Sequence, residues 1–300
     1  MTHPRRLRNL GRALLGGLGL GLGLIPAAAA ASSVQASTAW IDNLSRTSHG
    51  PTQKSARVDE VAVRFTTTRQ LARDWLLFTE AGASLQHVDR FDALDRAGAT
   101  GQLTLRRKFG LGSYAPIVEA SGSLAGHAYR ESGRNGWQPD VTVRFGKRLA
   151  ESWRAAAGAG WTHLVAREEP YDVTTRRLFL ELHHDVADGW QVGVGAARQW
   201  GEFTANAAGA IWAQAIGGGL GPVIFNHYNT LAWAVTDTYG PGWVAYRVRD
   251  SRADSWWAEL APALTDRTAL AVRYGAVRVT NAIGIEYDTS TWTLSLVHRF

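Results

Sequence analysis

Arginine and glutamate recur on one parity within each alternating segment, opposite runs of aliphatic residues, and this pattern carries the first chemical reading. The ionic set is Glu60, Arg64, Glu80, Arg106, Glu119, Arg144, Arg154, Arg177, Glu181, Arg247, Glu259 and Arg273. The opposite set holds Val61, Val63 and Phe65, Leu103 and Leu105, Val141 and Val143, Leu178, Leu180 and Leu182, and Leu294 and Leu296. Successive residues of a strand point to opposite faces, so one face is aliphatic and the other ionic. The two signs tend to alternate from segment to segment. Neighbouring strands bring opposed side chains to about 5 Å, within reach of guanidinium and carboxylate partners. Such a face lining an interior would admit small polar solutes, and a modest excess of arginine would bias it towards anions.

Histidine offers a second chemistry. A nucleophile needs its base within hydrogen-bond reach, yet none of the nine histidines begins an H-x-S, and no D-x-H occurs. His183-His184-Asp185 is the densest titratable cluster, but adjacent strand residues diverge, so the two imidazoles cannot share one metal without a bulge. His127 with Tyr129, and His87 after Ser84, place bases without an oriented triad. The absence of cysteine excludes a disulfide framework and a thiolate metal site. No catalytic residue, metal or cofactor is assigned.

Both chain ends point to an exported protein. Arg5, Arg6, Arg8 and Arg12 precede a Leu/Gly run from Ala13 to Ile25, then Pro26 and five alanines. That is the layout of a secretory signal over residues 1–31, with cleavage between Ala29 and Ala36. The run of about thirteen residues is too short for a helix spanning about 30 Å of hydrocarbon. Removing four arginines takes the formal charge from +6 to about +2. Lysine occurs only at Lys54, Lys108 and Lys147, and arginine is dispersed, so no clustered basic face for nucleic acid is present.

At the other end, Trp292, Leu294, Leu296, His298 and Phe300 share one face of the last ten residues. This segment resembles the closing strand of bacterial outer-membrane β-barrels, with a terminal Phe preceded by apolar or aromatic residues at every second position. His298 stands where that pattern more often has an aromatic. The resemblance implies an all-β, closed, antiparallel up-and-down barrel in the bacterial outer membrane. It further implies that the last strand is the signal read by the barrel-assembly machinery, and that lipid and lipopolysaccharide surround the wall.

Alternating segments predict strands near 38–47, 57–68, 75–88, 98–109, 116–129, 138–148, 153–166, 174–186, 190–201, 227–237, 242–250, 255–264, 268–279 and 289–300, giving fourteen in a barrel over 38–300, with twelve or sixteen as alternatives. Short turns at Arg69–Asp74, Gly110–Ala115, Leu149–Ser152, Ala187–Gly189, Tyr239–Pro241 and Thr265–Arg267 are assigned to the periplasmic end. Trp75, Trp153, Trp190 and Trp243 follow four of them, and with Phe109, Phe145 and Phe300 they form an expected interfacial girdle. The segment from Glu202 to Phe225, uncharged after its first residue, is expected to fold inward, to pack on a partner or to form an extra hairpin.

Three functions fit. A small monomeric porin-like channel for polar or anionic solutes comes first; the same ionic face could instead be a closed network plugging a structural or docking barrel. Outer-membrane lipid hydrolases resemble one another in their serine and histidine couple, and the missing H-x-S leaves that reading third.

Overall fold

The computed structural model describes residues 30–187, 189–215, 232–281 and 285–300. Period-two alternation becomes thirteen strands: β1 (Ala30–Ile41), β2 (Ala56–Ala72), β3 (Trp75–Val88), β4 (Arg96–Lys108), β5 (Ile117–Tyr129), β6 (Gly136–Arg148), β7 (Trp153–Ala166), β8 (Val173–Ala187), β9 (Trp190–Ala207), β10 (Trp233–Thr236), β11 (Trp243–Pro262), β12 (Thr268–Asn281) and β13 (Glu286–Arg299). Each of β1 to β8 pairs antiparallel with the next, β9 pairs with β11, β11 with β12 and β12 with β13, and β13 returns to β1 through Ser33↔Arg299 to Ile41↔Thr291. Twelve strands therefore close a barrel with β10 outside the ring, which satisfies every edge N–H and C=O without water.

Aliphatic side chains cover the outside, with Val61, Leu103, Leu178 and Leu180 all more than half exposed. Two aromatic levels bound this band. Trp75, Phe109, Phe145, Trp153 and Trp190 lie near the short-turn end, while Trp137, Trp161, Trp200, Trp256, Tyr274, Trp292 and Trp40 lie nearer the loops. Trp256, Tyr274 and Trp292 touch in series, with ring centroids 5.2 and 4.8 Å apart. Eight residues separate Phe145 from Trp137 and Trp153 from Trp161, and ten separate Trp190 from Trp200. At about 3.3 Å per residue and a tilt near 45° this is roughly 20 Å, close to the apolar height of a barrel wall.

The loop end is where the chain departs from a plain cylinder. Strands β9 and β11 run on as a hairpin past a register shift between Val248 and Ser251. Gly201 sits there at φ +135°, and Asp250 at φ 48°. A side chain at 201 would also meet the Thr174 carbonyl, so glycine alone fits this bend. Beyond it the strands carry apolar residues, which turn over the mouth and bury themselves. Ala205, Ala207, Val244, Tyr246 and Val248, with Trp212 of the short helix α1 (Gly209–Ala215), pack on Ala253, Val279 and Tyr287. Tyr239 and Trp243 pack on Ala56, Val88 and Leu94 from strands and loops further round the rim.

Several expectations are corrected. The strand count is twelve in the ring plus β10, not fourteen. Segments 242–250 and 255–264 are one twenty-residue strand, because Arg249-Asp250-Ser251 is a bulge and not a turn. The first strand is Ala30–Ile41 in place of 38–47, so the barrel begins before residue 38. Only Trp233–Thr236 of the 227–237 segment is strand among the described residues. The Tyr239–Pro241 turn lies at the loop end, and Trp243 is only 6% exposed there, not in the girdle. The signal segment through residue 29 lies outside the described residues, as does the 216–225 part of the apolar segment. The part of that segment up to Ala207 prolongs β9, and α1 follows.

Candidate functional site

An ionic and aromatic belt runs round the inner face of the sheet. Arg64 on β2 donates to the Gln35 side chain at 3.2 Å and lies 3.9 Å from Glu80 on β3. Arg106 on β4 stacks on the Phe78 ring at 4.5 Å and pairs with Glu119 on β5 at 2.6 Å. Arg144 on β6 then holds Glu119 at 3.1 Å and Glu181 on β8 at 3.2 Å. The latter pair skips β7, whose inner-face residues in register with it, Ala156 and Gly158, are small. Arg177 uses the same gap to reach the Thr142 hydroxyl at 3.0 Å.

Beyond Glu181 the belt turns aromatic. His183 lies 5.9 Å from Trp257 of β11, whose indole lies over Gly193 and Gly195 of β9 so closely that a methyl at 195 would collide with it. Arg273 of β12 stacks on the other side at 4.2 Å and lies 3.9 Å from Glu259. Glu60 pairs with Arg96 at 3.1 Å above the belt, and Arg154 pairs with Asp185 at 2.8 Å below it. Eleven of the twelve ionic positions thus face the interior within the wall. Arg247 is the exception: it belongs to the hairpin over the mouth and donates to the Asp172 carbonyl at 2.9 Å.

The interior is not filled. A cavity of about 350 Å³ lies against Glu80, Arg106, Glu119 and Arg144. A second, of about 490 Å³, opens towards the short-turn end and is lined by Arg106, Arg144, Arg148 and Arg154 with His183 and Gln191, and by no carboxylate.

Over the mouth, the hairpin is tied to loop after loop. Asn206 donates to the Ser45 carbonyl at 2.7 Å, Thr204 to Pro170 at 2.7 Å, and the Tyr239 hydroxyl to Leu44 at 3.0 Å. Glu131, in the β5–β6 loop, is the hub. It accepts from Arg134, from Thr236 at the end of β10 and Thr238 just beyond it, and from the Tyr171 hydroxyl at 3.3 Å. Burial pushes the Glu131 carboxyl up, but the Arg134 guanidinium and the two threonine hydroxyls outweigh it and hold it below its ordinary value. Burial pushes the Tyr171 phenol up to about 12, so it remains a donor.

No protein-family model matches the chain, and no curated protein matches it by sequence. Among solved structures, the COG4313 outer membrane channel from Pseudomonas putida F1 is similar over 92% of this chain and 97% of that one, with a TM-score of 0.59 at 13% identity. The chain has an outer-membrane β-barrel fold. At that identity the likeness is one of fold. The KdgM porin overlaps 89% of this chain and 99% of that one with a TM-score of 0.43 and 9% identity.

Among the described residues, no histidine is hydrogen-bonded to a serine in a hydrolytic couple. Ser84 and His127 flank Gly98, with Oγ 3.1 Å and Nδ1 3.7 Å from where its Cβ would sit, and no hydrogen bond joins them. His184 stacks on Trp153 at 4.2 Å while His183 turns to Trp257, so the pair diverges across the wall. His87 and His163 bind Asp95 and Asp172, each at 3.0 Å. In the last strand Trp292, Leu294, Leu296 and Phe300 are exposed on the outside, and His298 bonds the Thr268 hydroxyl at 2.9 Å. Sequence reasoning missed Trp257 and the upper girdle. The girdle had a signal, the aromatic eight to ten residues from Phe145, Trp153, Trp190 and Phe300.

Proposed function

We propose that the protein is a narrow, monomeric porin-like channel of the bacterial outer membrane that passes small polar solutes and favours anions. The observation that carries this reading is the cavity of about 490 Å³ whose lining includes four arginines and no carboxylate. Positive charge inside a low-dielectric wall concentrates anions, and the neighbouring belt fixes those charges in place. The short turns then face the periplasm and the cap faces outside. The outer wall meets membrane lipid, the leader is removed on export, and the terminal strand serves the assembly machinery.

The cap favours a second reading, in which the barrel is plugged and serves as a structural or docking element, because its hydrogen bonds bridge the mouth from several sides. Planar-bilayer recording of the purified, refolded protein separates the two. Discrete conductance steps support the channel, and a silent bilayer at high protein load supports the plug.

A further inference from the structure

The outer wall between β6 and β11 is furrowed. On β8, Leu178, Leu180 and Leu182 form a ridge, and Leu178 and Leu180 are 54% and 65% exposed. Register sets this ridge beside Ala159, Ala157 and Ala155 of β7 and beside Arg198, Ala196 and Val194 of β9. A groove of about 470 Å³ runs over β7 between the ridge and Val141 and Val143. Another, of about 840 Å³, lies on the β9 side against Ala196, Trp200 and Asp254. Both are apolar along their length and charged at their loop-end heads.

The heads are built differently from their floors. Arg176 stands outward between Trp161 and Trp200, its direct partners in register, and all three line the head of the first groove. Among the described residues Arg176 has no carboxylate partner. At the second head, Arg198 and Arg252 share the single carboxylate Asp254, which leaves that corner net positive. Arg176 and Arg252 are both opposite Trp200, two strands apart, or about 10 Å.

We propose that this face is a binding site for a phosphorylated glycolipid of the outer leaflet, that is, a lipid A-type molecule. Its acyl chains lie in the grooves either side of the Leu178–Leu180–Leu182 ridge, and its phosphates sit at Arg176 and at the Arg198/Arg252 corner. Acyl chains already in the bilayer are held in apolar grooves by van der Waals packing, while a guanidinium held at headgroup level selects phosphate. The indoles of Trp161 and Trp200 keep Arg176 at that level, since their rings prefer the boundary between hydrocarbon and headgroup. Two cationic heads spaced across two strands fit a lipid whose phosphates are separated by sugars better than one with a single phosphate.

The choice of leaflet rests on the outer-membrane reading, but the site is tested by lipid occupancy, which does not depend on conductance. Native mass spectrometry in detergent, with defined lipid added, compares wild type, Arg176→Gln and Ala159→Leu, which fills the first groove from the outside. Bis-phosphorylated lipid A should bind wild type, with affinity falling about tenfold in either variant, and a dephosphorylated analogue should bind weakly to all three. An unchanged heat-dependent gel shift certifies that each variant is folded. Equal lipid A binding by wild type and both folded variants, or equal binding of phosphatidylglycerol and lipid A by wild type, overturns the proposal.

Discussion

Arg144 on β6 donates to the Glu181 carboxylate on β8 at 3.2 Å across β7, where Gly158 is the register partner of Arg144 and Ala156 that of Glu181. A Cβ at 158 would collide with the Phe179 ring and the Val143 carbonyl. Gly158→Ala should therefore cost about 1–3 kcal/mol of stability, as overpacking does, and should loosen the Arg144 pair. The temperature at which the folded band is lost on semi-native gels should fall, while Ala157→Gly, on the outer face, should leave the belt intact. An unchanged transition for Gly158→Ala would show that the wall has room there.

Cap anchoring should weaken in acid. The Glu131 carboxyl is held below its ordinary value, so its charged form binds more tightly in the closed cap than in the released one. That contribution is complete above the ordinary carboxylate range and is lost as pH falls through the depressed value. Conductance, or protease access to the 237–242 turn, should rise as pH drops below the ordinary carboxylate range. Glu131→Gln should raise it at neutral pH and flatten the dependence. A wild-type profile identical to that of Glu131→Gln would remove Glu131 from the hinge.

On the proposal that a leader is removed, the seam between β1 and the C-terminal end limits where it can be cut. Phe300 donates its backbone N–H to the Ser32 carbonyl at 3.0 Å, and pairing with β13 begins at Ser33. The mature protein should start at or before Ser32, towards the early end of the expected window, and an intact mass spectrum reads this directly. Deleting Phe300 should lower membrane insertion more than synthesis. A mature chain beginning after Ser32 would contradict the β1–β13 seam.

The barrel was legible because alternation repeats in every strand and a single face must be consistent throughout. What escaped notice depended on contacts between distant segments. Trp243 follows a tight turn just as Trp75 and Trp153 do, and nothing local says which end of a barrel a turn occupies. Arg249-Asp250-Ser251 reads as a polar break, yet pairing with Gly201 makes it a bulge within one strand. The ionic face could be read by parity, but not the reach of Arg144 across β7, which depends on the small size of Gly158 and the curvature of a closed wall. Arg247 shares the parity and not the location, because β11 bends above Ser251.

The most direct test of the account is the reversal potential under a salt gradient, for wild type and for the combined Arg64→Gln, Arg106→Gln, Arg144→Gln and Arg273→Gln variant. Glutamine keeps polar side chains on the inner face and removes four positive charges beside Glu80, Glu119, Glu181 and Glu259. These pairs are partly hydrated and worth about 0–1 kcal/mol each, so the barrel should survive. Wild type should prefer anions, the variant should shift towards cations, and the difference should shrink near 1 M salt, where the Debye length is about 3 Å. Equal selectivity in the two proteins, or no conductance in wild type, would contradict the channel.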